Sequence, residues 1–149
     1  MVRRVALLPL MLLFVAGWSV FQSRADDADT IAAINASSNA LDEAFAKRDV
    51  ATIKALMTPD HVTGHALFWQ PPDRRRSASL AELEYGQTII GEPSVVLLAP
   101  DVALRTFIAE LKGSFKGKPL PARAFVNETL VRRDGKWIER LFQVTTLEP

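Results

Sequence analysis

From about Ser94 to Leu147 the chain reads as a succession of long strands, and the turn that pins them together is Asp134-Gly135. Leu130-Val131-Arg132-Arg133 precedes it and Lys136-Trp137-Ile138 follows it. Asp and Gly both tolerate the positive φ that a tight two-residue hairpin turn demands. Such a turn sets a register. Counted outward from it, Arg133 faces Lys136, Val131 faces Ile138, Thr129 faces Arg140, Asn127 faces Phe142 and Phe125 faces Val144. The alternate face pairs Arg132 with Trp137, Leu130 with Glu139, Glu128 with Leu141 and Val126 with Gln143. Two further strands, Ser94 to Leu98 and Val102 to Lys112, flank the turn Ala99-Pro100-Asp101, and the closing pair spans about Pro121 to Arg133 and Lys136 to Leu147. Strands of roughly ten residues exceed the usual five or six, as a strongly bent sheet requires.

Neither face of this register is cleanly polar, whereas an antiparallel sheet with one wet face alternates apolar with polar. The pattern predicts helices over one face and a second copy of the chain over part of the other. That homodimer would use Trp137, Leu141, Leu130 and Val126.

The segment before the sheet is helical in character. Ile31, Ile34, Ser38, Leu41 and Phe45 recur at three- and four-residue steps, the stripe of an amphipathic helix from about Asp29 to Lys47. Asp49 suits the N-cap of a second helix, Val50 to Met57, which Thr58-Pro59-Asp60 ends because the residue before proline is driven from helical geometry. His61 to Trp69 reads as the first strand, and Gln70 to Arg76 as an exposed loop. Ser79 with Glu82 forms a capping-box pattern for a short third helix, Leu80 to Tyr85. The fold class expected is α+β: N-terminal helices packed into a strongly curved antiparallel sheet, a cone-like α+β barrel.

Residues 1–25 read differently from the rest. Arg3 and Arg4 open a basic start, Val5 to Phe21 is almost wholly apolar, and Ser23-Arg24-Ala25 has the small-x-small form of a cleavage site, together the layout of a secretory signal peptide. An uncleaved anchor is the alternative. The mature domain is then 26–149, periplasmic or secreted, with no membrane contact after cleavage. Without Arg3, Arg4 and Arg24 the 18 basic residues fall to 15 against 17 acidic ones, a balance of −2 that gives no footing for nucleic acid. The chain has no cysteine, which excludes thiol catalysis and disulfides and leaves packing to hold an exported fold. His61 and His65 would lie about 13 Å apart along one strand face, too far to share a metal. Neither a metal nor a cofactor is expected.

The helix–break–helix run Ala40 to Asp60, together with Arg132-Arg133-Asp134-Gly135-Lys136-Trp137 and the following Phe142-Gln143-Val144-Thr145, resembles the nuclear transport factor 2-like superfamily, which includes ketosteroid isomerases and SnoaL-like cyclases. The resemblance spans essentially the whole mature chain and implies a cone closed by helices, a fold that hosts unrelated functions. In the isomerase branch a carboxylate general base lies five residues after the acidic turn residue; counted from Asp60, that position holds His65. A second carboxylic acid lies eight residues before the hairpin glycine, where this chain has Asn127. The oxyanion-hole tyrosine of the first helix falls at Leu41. None of the three is retained in kind, which argues against steroid isomerisation.

The resemblance makes the Asn127 face concave, and so groups Leu41, His65, Phe125, Asn127, Thr129, Arg140 and Phe142 as ligand-binding candidates. His65 has two readings, a structural histidine or a base working near neutral pH. Arg140 either binds a carboxylate or enolate oxygen or pairs with an acid of the cone. Glu128 and Glu139 fall on the outer face, solvated or interfacial. Three functions follow: a binding domain for a small apolar or carbonyl- or carboxylate-bearing molecule; a cyclase, isomerase or dehydratase with catalytic His65; or a non-catalytic dimeric structural module.

Overall fold

The computed structural model describes residues 13–65, 68–70 and 82–147, with side chains from 27 to 64 and from 82 to 147. The chain divides between Ala32 and Ala33 into two units. Of the first, the described part is helix, the opening stretch of α1, which runs Leu13–Lys47. The apolar leader falls partly outside the described residues. Among the described residues no helix is long and apolar enough to cross a membrane.

The second unit holds the rest of α1, a short α2 (Val50–Leu56) and seven strands: β1 (Met57–His65), β2 (Phe68–Gln70), β3 (Leu83–Ala99), β4 (Val102–Phe115), β5 (Lys118–Pro119), β6 (Arg123–Arg133) and β7 (Lys136–Thr146). The strands form one sheet in the order β2-β1-β7-β6-β4-β3, with β5 paired to β4. All pairings are antiparallel except β1 with β7, which run parallel. Two helices on a mixed sheet give the α+β architecture expected, corrected from antiparallel to mixed at that one junction.

The helical signals act where the sequence puts them at the C-terminal end of the first helix and at the cap of the second, but α1 begins at Leu13, well before the expected start at about Asp29. α1 ends at Lys47, and Asp49 caps α2 by accepting from the Thr52 N–H at 3.1 Å and from its hydroxyl at 2.6 Å. Met57, however, is already extended, so Thr58-Pro59-Asp60 lies within β1 rather than beyond a helix. The third helix is not formed. Leu83, Glu84 and Tyr85 belong to β3, and the start of the expected helix lies outside the described residues. Cross-strand pairing along the whole of β4, from Leu83 with Phe115 onward, outweighs a local capping pattern.

Asp134 and Gly135 take φ of 51° and 77°, the turn anticipated, and Arg133 faces Lys136, Arg132 faces Trp137, Val131 faces Ile138 and Leu130 faces Glu139. There the expected register stops. Thr129 faces Leu141 and Glu128 faces Phe142, so Arg140 is an extra residue in β7. A bulge of one residue reverses which side chains share a face on its far side. Phe142 and Val144 thereby join Glu128 and Val126, not Asn127 and Phe125.

The inward face is the one that was expected to be outer. On β4, Ala103, Arg105, Phe107, Ala109 and Leu111 are buried; on β6, Ala124, Val126, Glu128 and Leu130; on β7, Trp137, Glu139 and Val144. Ile34 of α1 packs with Ala103, Leu130 and Trp137, while Leu41 and Ala44 pack with Ile53 and Met57. Trp137, Leu130 and Val126 are therefore core residues and are not available for a dimer surface.

Gly113, at φ 121°, faces Tyr85 across β3 and β4, and a Cβ there would run into the Glu84 carbonyl. Gly86 has open space around its missing Cβ. Gly113→Ala should therefore cost about 3 kcal/mol of stability in urea unfolding, against less than about 1 kcal/mol for Gly86→Ala. Equal effects would mean that the close strand contact at Gly113 is not needed.

Candidate functional site

Polar residues enter the apolar inner face from both layers. The α1 stripe places Ser38 between Ile34 and Leu41, and Asn35, Asn39 and Asp42 fall on its flanks by helical spacing. Arg105 of β4 sits opposite Glu128 of β6, both turned inward by strand alternation. The guanidinium NH1 donates to Glu128 Oε2 at 2.8 Å, and the Ser38 hydroxyl donates to the same oxygen at 2.8 Å. Arg105 Nε donates to Asn35 Oδ1 at 2.9 Å and NH2 reaches Asn39 Oδ1 at 3.4 Å, while the group lies 4.6 Å from the Phe107 ring centre. Arg105 and Glu128 are 1% and 2% exposed. Burial pushes the Glu128 carboxyl up, opposed by Arg105 and the Ser38 hydroxyl. A second buried pair joins His61 Nε2 of β1 to Glu139 Oε2 of β7 at 2.7 Å.

Beside these sealed groups lies a half-buried set. Tyr85 and Gln87 alternate along β3 and so point the same way. The Tyr85 hydroxyl donates to Gln87 Oε1 at 2.6 Å, and Gln87 Nε2 donates to Asp42 Oδ2 at 2.6 Å. Phe45 and Phe142 flank the Tyr85 ring edge-to-face, at 5.9 and 6.4 Å between centroids. Burial above all, and then the negative Glu128, raise the Asp42 carboxyl to about 7, against the pull of Gln87 and Arg105. Burial holds the Tyr85 hydroxyl protonated well above its ordinary range. At neutral pH, Asp42 is thus shared between acid and carboxylate, a poise suited to proton transfer.

The residues named from the sequence are not brought together. Leu41 is in the core with Ala44, Ile53 and Met57, and Phe142 packs against the inner cluster of Phe107, Val126 and Val144. Asn127 lies on the opposite face between Thr106 and Gln143, Thr129 between Leu104 and Leu141, and Phe125, 37% exposed, between Ile108 and Thr145. Arg140, the bulge residue, turns to Asp60, with NH2 at 3.2 Å from the carboxylate and NH1 on the backbone carbonyl. His65 ends β1, and its side chain lies outside the described residues. Glu128 and Glu139, expected outside, are inside. Asp42, Tyr85, Gln87 and Arg105 were not proposed as site residues. The parity of Ala103, Phe107, Ala109 and Leu111 with Arg105, and of Ala124, Val126 and Leu130 with Glu128, is the signal that marks the buried pair. Among the described residues no cluster of His, Asp or Glu could hold a metal ion.

No protein-family model matches the chain, and no curated protein matches it in sequence. Solved structures do match. A nuclear transport factor 2-like protein from Cytophaga hutchinsonii is 14% identical with a TM-score of 0.65, over 76% of this chain and 95% of its own. A candidate scytalone dehydratase from Novosphingobium aromaticivorans is 12% identical with a TM-score of 0.66, over 82% and 87%. A candidate ketosteroid isomerase from Shewanella frigidimarina is 16% identical with a TM-score of 0.56, over 76% and 94%. The chain has the nuclear transport factor 2-like fold.

Because the folded Asp42 holds its proton to about 7 and an unfolded one only to about 3.8, the folded state binds more protons between those values. Its contribution to stability therefore falls as pH rises through that interval. Asp42→Asn should gain on the wild type from pH 4 to pH 8 in urea unfolding, by about 1–2 kcal/mol after allowance for partial exposure. A difference that stays constant across this range would show that Asp42 titrates as a free carboxylate.

Proposed function

We propose that the domain binds a small, largely apolar molecule on the helix-facing side of its sheet, with Asp42, Gln87 and Tyr85 meeting its polar end. The observation that carries this reading is the half-buried hydrogen-bonded run of those three side chains beside Phe45 and Phe142. Arg105, Glu128 and Ser38 satisfy one another out of reach of solvent, whereas these three keep partial exposure. An apolar wall with a few convergent polar groups is what a small-molecule site needs. The fold shared with a candidate isomerase and a candidate dehydratase is in keeping with an interior that handles small organic molecules. Of the residues named from the sequence, Leu41 and Phe142 fit this reading. The signal-like character of residues 1–25 supports action in the periplasm or outside the cell.

A second reading, proton-transfer catalysis of the isomerase or dehydratase kind, is favoured by the Asp42 carboxyl raised to about 7, which takes the role first assigned to His65. Titration with the neutral solvatochromic naphthalene ketone prodan tests the shared premise. A saturable blue shift is expected, weakened at least about tenfold by Gln87→Ala and unchanged by Asn127→Ala. Loss in Asn127→Ala instead would move the ligand to the opposite face, and the absence of any saturable shift would count against a pocket.

The other sheet face supports a homodimer in a corrected place. Ile90, Val96, Leu98 and Phe125 are 39%, 50%, 60% and 37% exposed, and Ile108, Leu104 and Leu141 lie in the same cross-strand rows. An apolar patch of this kind on a sheet is suited to an isologous two-fold contact. Light scattering at micromolar concentration should report a dimer that Val96→Glu with Phe125→Glu converts to monomer; a wild-type monomer would contradict it.

A further inference from the structure

We infer that the site at Asp42 selects uncharged, oxygen-bearing ligands and rejects carboxylates and phosphates, because among the described residues no cation is free to meet them there. The inference rests on the binding reading above and narrows it to a ligand class.

Arg105 is the one buried Lys or Arg among the described residues. Each of its three nitrogens is engaged: NH1 by Glu128, Nε by Asn35 and NH2 by Asn39. Its guanidinium plane also rests on Phe107. To meet a ligand anion it would have to leave Glu128, exposing a buried carboxylate to a second negative charge. Breaking one side of such a pair is strongly unfavourable. Arg140, the cation first offered as a carboxylate clamp, is bound to Asp60. His61 is held by Glu139.

Among the described residues the acids facing the site outnumber the cations. Asp42 on α1 looks toward Glu128 of β6 and Arg105 of β4, and Tyr85 of β3 looks toward Asp42, Glu128, Glu139 of β7 and Arg105. A ligand carboxylate would add charge of the same sign in a poorly solvated place, which costs heavily without a counter-ion. A neutral carbonyl or hydroxyl has a partner instead. Gln87 anchors Asp42 Oδ2, and the other carboxyl oxygen has no protein partner among the described residues. In its acid form Asp42 can donate from that second oxygen to a ligand oxygen. Tyr85, committed as donor to Gln87, offers lone pairs to a ligand hydroxyl.

The test is a matched naphthalene series: acetylnaphthalene, naphthoate and naphthylmethylammonium, titrated by calorimetry against the full chain. Acetylnaphthalene should bind at least tenfold more tightly than naphthoate at pH 6, and its affinity should fall on going to pH 9 as Asp42 loses its proton. Asp42→Asn, which keeps an N–H donor at that position, should bind the ketone with little change between the two pH values. Naphthoate binding as tightly as the ketone, or the ammonium binding more tightly, would overturn the inference while leaving the pocket intact provided that Gln87→Ala still weakens binding. Failure of all three to bind would remove the pocket reading itself, and this inference with it.

Discussion

The Arg105–Glu128 pair is the constraint around which the rest of the interior is arranged. Two charges 2.8 Å apart and sealed from solvent are tolerable only if their remaining hydrogen-bonding capacity is met. Here one helix meets it. Asn35 stands one turn before the adjacent Ser38 and Asn39 on α1, so the same rotation and height of that helix satisfy Nε and NH2 of Arg105 and Oε2 of Glu128 together. Ile34 and Leu41, on either side of Ser38, then fall into separate apolar clusters. Sliding α1 by one residue would take these polar partners out of reach and leave a buried ion unpaired. The apolar stripe favours a helix on the sheet; the polar node specifies which helix position.

That position is also what brings Asp42 to Gln87. Asp42 lies one turn beyond Ser38 on α1, and Gln87 reaches it from β3 at 2.6 Å. The sealed node and the half-buried site are therefore consecutive turns of one helix, and Glu128 contributes to both by raising the Asp42 carboxyl. Structure and chemistry share a residue. A change at Glu128 would move the protonation of Asp42 as well as the packing of α1, so the two effects must be separated by pH dependence rather than by loss of activity alone.

Much of the fold was legible because its signals are local. The α1 stripe, the Asp49 cap and the Asp134-Gly135 turn each depend on a few adjacent residues, and each forms as expected. The site was less legible, because it depended on which sheet face is concave and on carrying one register across nine residues of β7. The bulge at Arg140 has no Gly or Pro to announce it; its partner, Asp60, lies 80 residues away. Only the β7 residues beyond it change face; β6 keeps its expected parity, and its inner and outer sides are exchanged because the concave side is the reverse of the one the family resemblance implies. Alternation within β4 and β6 needed no such transfer, and an arginine in phase with Ala103, Phe107, Ala109 and Leu111 was visible without any pairing at all.

The bulge explains as well why the inner face can be both apolar and acidic. Before it, β7 presents Trp137 and Glu139 inward; after it, Phe142 and Val144. A regular strand that kept Trp137 and Glu139 inside would have turned Leu141 and Gln143 inward and sent Phe142 out. Tyr85 would then lose one of its two flanking rings. The residue inserted to achieve this is charged, and on the β1 side it finds Asp60 rather than the core. One exposed ion pair thus anchors the irregularity that places an aromatic ring beside Tyr85 while Glu139 stays buried against His61. Arg140, paired with an acid rather than aimed at a ligand, acts on the site only through strand parity.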